Sequence, residues 1–173
     1  LDYINKKYKQ RIKTEMVSIK THGDRTLFFD FLPVDIGKIH GFDIKIQLYT
    51  VPGQVKYNAT RKLVLKGVDG IVFVADLQKE RRDSNLKSLE QMKENLLTHN
   101  KDVFKIPLVL QYNKIDLKDQ GIALLTVDEM EQDLNQELKV PFFVGSALTG
   151  DNVVETLKKI ISMTLISFRK ELQ

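Results

Sequence analysis

The sequence predicts an α/β fold of three layers, a mixed but mostly parallel sheet flanked by helices. Three observations predict it: one cleanly alternating strand, three short continuous apolar runs, and helical segments set between them. The alternating strand is Phe42–Tyr49, with Phe42, Ile44, Ile46 and Leu48 on one face, the pattern of a strand with one buried and one solvated side. The apolar runs are Gly70–Ala75, Pro107–Tyr112 and Pro141–Val144, which suit strands covered on both faces of a parallel sheet. Helical patterns fall at about Tyr57–Lys66, Asp83–His99, Val127–Lys139 and Asn152–Leu172. Such alternation implies right-handed crossovers and a doubly wound sheet whose ligands bind beyond the carboxyl ends of the strands.

In chain order, Leu1–Asn5 reads as helix with no cap or turn before it, so the sequence is expected to open inside an element. The basic run Lys6, Lys7, Lys9, Arg11 and Lys13 reads as a solvated face. Leu27–Leu32 and Phe42–Tyr49 read as an antiparallel hairpin joined across Asp35, Gly37 and Gly41. Thr126 followed three residues later by Glu129 is a capping-box pattern that fixes the start of the third long helix. The last helix sets Val153, Leu157, Ile160, Ile161, Leu165 and Phe168 at helical spacing, a stripe expected to face a core.

Composition narrows the class. With 173 residues and 42% apolar side chains, residues 1–173 form one expected domain with a substantial core. The absence of cysteine argues against a disulfide framework and a thiolate metal site, so that no C-terminal prenylation is expected and the cytosol is the expected compartment. No stretch approaches the roughly 20 apolar residues of a membrane-spanning helix. A net charge of +4 is too mild to point at nucleic acid.

The chemistry-bearing residues sit at strand ends. Asn113-Lys114-Ile115-Asp116 directly follows the Pro107–Tyr112 run. An aspartate at its last position can accept two hydrogen bonds from the N1 and N2 donors of guanine, where adenine offers no matching pair. Read locally, the same four residues also suit a turn in which Asn and Asp bond their own backbone. Ser146-Ala147 follows the Pro141–Val144 run, 30 residues beyond Asp116. Thr50-Val51-Pro52-Gly53-Gln54 follows the alternating strand, and Arg25-Thr26 precedes Leu27–Leu32.

Taken together, these motifs and their order resemble the P-loop NTPase small G domain, and in particular the bacterial MglA-type Ras-like GTPases. The blocks Asp24–Leu32, Leu48–Gln54, Arg61–Asp76 and Gln111–Asp116 carry that resemblance over nearly the whole chain. It implies a GTP-hydrolysing switch that takes GTP/GDP and Mg²⁺. Asp116 would set base choice, Asn113 would tie loops and contact the base edge, the stem of Lys114 would cross the ring face, and the backbone of Ser146-Ala147 would support the base. Thr26 would bind Mg²⁺ and the γ-phosphate, Gly53 would read the γ-phosphate, Gln54 would orient the attacking water, and Arg25 would serve as an arginine finger in cis. Thr50 stands where small GTPases usually carry an aspartate, a departure characteristic of the MglA group.

The resemblance further implies slow intrinsic hydrolysis, stimulation by a roadblock-fold MglB homodimer, polarity or motility effectors, and recruitment to a cell pole. No Gly-x-x-x-x-Gly-Lys-Ser/Thr loop occurs, although such a domain needs its amides to cradle phosphates. On the order of 20 residues, a strand, that loop and the start of a helix, are therefore expected before Leu1. Two other readings share the fold: a catalytically inactive pseudo-GTPase scaffold, against which the presence of both Arg25 and Gln54 argues, and a peripheral membrane GTPase of the Arf type.

Overall fold

The computed structural model describes residues 1–9, 16–20, 28–39, 42–51 and 57–171. The chain divides into two compact units, Leu1–Val64 and Leu65–Gln173.

The first unit contains α1 (Asp2–Lys7), β1 (Val17–Lys20), β2 (Phe28–Ile39), β3 (Phe42–Thr50) and most of α2 (Asn58–Leu65). Its sheet runs β1-β2-β3, antiparallel throughout. The expected hairpin is present, but β2 is longer than the apolar pattern suggested. Asp35 and Gly37 lie within it, at a register shift, where Gly37 adopts φ +86° and its N–H donates to the Asp35 carboxylate at 2.9 Å. A bulge absorbs an extra residue and bends the strand, so these two turn formers punctuate the strand without ending it. Leu32 and Val34 are buried, while on β3 Ile44, Ile46 and Leu48 are half-buried and Asp43, Lys45, Gln47 and Tyr49 are exposed. Phe31 and Tyr49 are cross-strand partners with ring centroids 5.0 Å apart. The short β1 was not legible in the sequence, because four residues are too few to establish a period.

The second unit holds β4 (Ile71–Asp76), α3 (Arg82–Leu97), β5 (Leu108–Asn113), α4 (Val127–Leu134), β6 (Phe142–Gly145) and α5 (Val153–Glu171). Its sheet runs β4-β5-β6, all parallel. One face, with Ile71, Phe73, Ala75, Leu108, Leu110 and Tyr112, packs on Leu89, Met92 and Leu96 of α3 and on Met130 and Leu134 of α4. Helix α5 packs against all three strands and buries Val153, Val154, Leu157 and Ile160. This unit therefore has the expected αβα layering. A Cβ on Gly70 would fall 2.2 Å from Thr164 Oγ1, so the lack of a side chain there lets α5 lie close. The stripe on α5 is buried only along its first half, and Phe168, expected in a core, is 56% exposed.

Helix α4 begins as the capping box requires: Thr126 Oγ1 accepts from the Glu129 N–H at 3.2 Å and Glu129 Oε2 accepts from the Thr126 N–H at 2.7 Å. It ends five residues earlier than the pattern suggested, at Leu134 and not Lys139. The side chain of Asn135 accepts from the Val140 N–H and donates to the Val140 carbonyl, both at 2.9 Å. Those two bonds fold the following residues into a tight turn, with Lys139 at φ +50°. Among the described residues, β3 pairs only with β2 and β4 only with β5.

Candidate functional site

Parallel pairing fixes where the second unit presents its polar residues. Asp76, Asn113 and Gly145 are register partners across the sheet and are the last residues of β4, β5 and β6. Three loops therefore leave one sheet edge side by side, the place where open α/β sheets bind ligands.

The loop after β5 is built for a sharp turn. Lys114 adopts the left-handed conformation, φ +75° and ψ +32°, and starts a 3₁₀ helix, Ile115–Gln120, that ends on the left-handed Gly121. The carboxamide Oδ1 of Asn113 accepts from the Ala147 N–H at 2.8 Å, joining this loop to the one after β6. The Lys114 ammonium lies 2.7 Å from Asp76 Oδ2 and donates to Gln78 Oε1 at 3.1 Å. Asp116 sits in the first turn of the 3₁₀ helix, and its Oδ1 is buried with no hydrogen-bond partner among the described residues. A buried acceptor left unpaired costs about 1–3 kcal/mol, so this oxygen suits a ligand that brings donors to it.

The loop after β6 is densely hydrogen-bonded. Ser146 is fully buried; its Oγ accepts from the N–H groups of Leu148 and Thr149, each at 3.2 Å, and its carbonyl accepts from the Gly150 N–H at 2.8 Å. The Ser146 N–H donates to the Asp151 carbonyl at 3.1 Å. The Asn152 amide donates to the Val144 carbonyl at 2.6 Å. This loop needs backbone that only some residues tolerate: Gly150 has φ +92°, Asn152 φ +54°, and a Cβ on Gly145 would lie 2.3 Å from the Asp151 carbonyl oxygen. Beneath both loops the Tyr112 hydroxyl donates to Glu131 Oε1 and its ring stacks on Phe142 at 5.3 Å. Burial and that carboxylate push the Tyr112 phenol well above its ordinary range.

The structure thus brings Asn113, Lys114, Asp116, Ser146 and Ala147 to one edge. Arg25, Thr26, Gly53 and Gln54 lie outside the described residues. Thr50, at the end of β3, donates its hydroxyl to Asp30 Oδ2 at 3.0 Å. Sequence reading missed Asp76, Gln78 and Asn85, all bonded within this edge. The only signal for Asp76 is a lone carboxylate closing an apolar strand. Among the described residues, no group of three or more His, Asp or Glu side chains could hold a metal ion, and no helix is long and apolar enough to cross a membrane.

Comparison with known proteins agrees with this architecture. The Ras family model matches residues 9–165. The chain is 48% identical to the mutual gliding-motility protein MglA of Myxococcus xanthus over 170 residues, 98% of this chain and 85% of that protein. It is 33% identical over 126 residues to the Ras-related protein SEC4 of Saccharomyces cerevisiae, a match of 71% of this chain and 54% of the yeast protein. With the Ras-related protein Rab-27B of Bos taurus the identity is 30% over 125 residues, 69% of this chain and 53% of that protein. The chain belongs to the Ras family of small GTPases, in its MglA-type branch.

Proposed function

We propose that the chain is a guanine-nucleotide switch that hydrolyses GTP and uses the edge formed by Asn113, Lys114, Asp116, Ser146 and Ala147 as its base site. The observation that carries this reading is the buried, unpartnered Oδ1 of Asp116. Guanine presents adjacent N1–H and N2–H donors to a carboxylate, and adenine does not. Asn113 holds the neighbouring loop at the Ala147 N–H. A base carbonyl at that point shares this donor with Asn113 or displaces it.

GTP would supply the scissile phosphoanhydride, and a bound Mg²⁺ would supply positive charge to offset that of its phosphates. By the family resemblance Thr26 would hold the metal, with Gly53 on the γ-phosphate, Gln54 aligning water and Arg25 stabilising charge in the transferring group. Loss of the γ-phosphate then releases Thr26 and Gly53, the order change on which a switch depends. The relationship to MglA supports a role in gliding motility and cell polarity, with localisation at a cell pole. It also supports regulation by a roadblock-fold MglB-type homodimer, contacting Arg25–Phe31 and Val55–Lys62, and slow turnover in its absence.

Titrating the full-length protein with a fluorescent GDP and competing with GDP, GTP or ATP tests the base site. GDP and GTP should displace the probe while ATP does not; equal competition by ATP would sink the reading. For the catalytic half, Arg25→Ala and Gln54→Ala should keep GTP binding and lose partner-stimulated hydrolysis.

A further inference from the structure

The lysine of the base loop is held by its charge. Its Nζ lies 2.7 Å from Asp76 Oδ2 and 3.1 Å from Gln78 Oε1, so the four-carbon stem is fixed at both ends, spanning from the end of β5 to the end of β4. Asp76 is itself immobilised. Its Oδ1 accepts from the Gln78 N–H at 3.0 Å, and the carboxamide of Asn85, on the first turn of α3 and 8% exposed, grips the Asp76 backbone from N–H and carbonyl alike, at 3.0 and 2.7 Å. The chain beyond is tied on both sides: the Leu77 N–H donates to the Asn113 carbonyl at 3.0 Å, the Leu125 N–H to the Leu77 carbonyl at 2.7 Å, and Gln78 bridges to Leu124.

We infer that Asp76, fixed by Asn85, is a positioning residue for the base site, setting Lys114 so that its stem, and not its charge, meets the planar base. The inference rests on the guanine-nucleotide reading above. An ion pair in which the lysine side chain is 44% exposed contributes little to folding. What it supplies is order: a long, flexible side chain is placed before the ligand arrives, and binding no longer has to freeze it. The carboxylate also neutralises the ammonium, which removes Lys114 from the set of cations that face phosphate.

The test is a double-mutant cycle on the full chain, read by fluorescent-GDP affinity and dissociation rate, with unliganded melting temperature as control. Asp76→Asn should weaken GDP about tenfold through faster dissociation. Lys114→Met, which keeps an unbranched stem without the charge, should do about the same, and the double variant should be no weaker than either single. The unliganded melting temperature should move little. Should Asp76→Asn fail to fold, Gln78→Leu takes its place: a loss of about threefold is expected, and no loss in the Lys114→Met background. Unchanged GDP affinity in the folded single variants, or losses that multiply in the double, would overturn the inference and leave the nucleotide reading standing. A wild-type protein that binds no guanine nucleotide would remove both.

Discussion

Asn113 accepts a hydrogen bond from the backbone N–H of Ala147 at 2.8 Å, a contact between residues 34 apart in sequence that joins the loops after β5 and β6. Replacing Asn113 by alanine frees Ala147 without disturbing the core beneath. The expected result is a loss of about 1 kcal/mol in stability and at least a tenfold loss of GDP affinity, checked by denaturant unfolding and by titration. A variant that keeps wild-type affinity would mean that the two loops need no tie.

Asp116 gives the sharpest test of base choice. Asparagine at this position presents an N–H₂ donor where the carboxylate accepts, which suits xanthine, whose C2 carries a carbonyl oxygen. Asp116→Asn should lose GDP by a factor on the order of 10² to 10⁵ and gain XDP, because mismatched buried polar groups discriminate strongly. Competition of both nucleotides against a fluorescent probe reads the switch directly.

Gly145 is where backbone approaches backbone. A Cβ there meets the Asp151 carbonyl oxygen at 2.3 Å and that carbonyl cannot rotate away, because it also accepts from the Ser146 N–H. Gly145→Ala should destabilise the second unit by roughly 1–3 kcal/mol and shift the Ser146–Asn152 loop. Thermal melts and amide exchange across residues 146–152 would show both effects.

Much of this sheet edge was legible in the sequence, for a physical reason. Asn113-Lys114-Ile115-Asp116 combines a strand end with residues whose chemistry is local, so position and identity coincide in one short stretch. The Thr126–Glu129 box is equally local and was equally visible. By contrast, the grip of Asn85 on Asp76 joins residues nine apart through a side chain that resembles any polar residue in a helix. The early stop of α4 depends on Asn135 reaching Val140, and the bulge in β2 depends on pairing with β3. Such features arise from tertiary geometry, which periodicity does not encode.

The capping box of α4 makes a prediction about acid. The backbone N–H and then the hydroxyl of Thr126 hold the Glu129 carboxyl below its ordinary value of 4.5. In the pH range between the folded and unfolded values, the unfolded chain binds more protons. The stabilisation is therefore fully present above the ordinary value and disappears as pH falls through the folded one. The melting-temperature difference between wild type and Glu129→Gln should favour wild type at about pH 7 and vanish once the pH has fallen below the folded value. A difference independent of pH would show that the charge contributes nothing.

The Asn85 clamp also sets a limit on sheet growth. Ile71 and Leu77 direct their N–H groups toward the β5 side, so Val72, Val74 and Asp76 direct theirs to the opposite edge of β4. At Asp76 both backbone groups are already taken by the Asn85 amide. A side chain thus acts as the terminator of that edge: a strand joining there finds ladder positions at Val72 and Val74 and none beyond, which keeps incoming backbone clear of the Asp76 carboxylate and the lysine it holds.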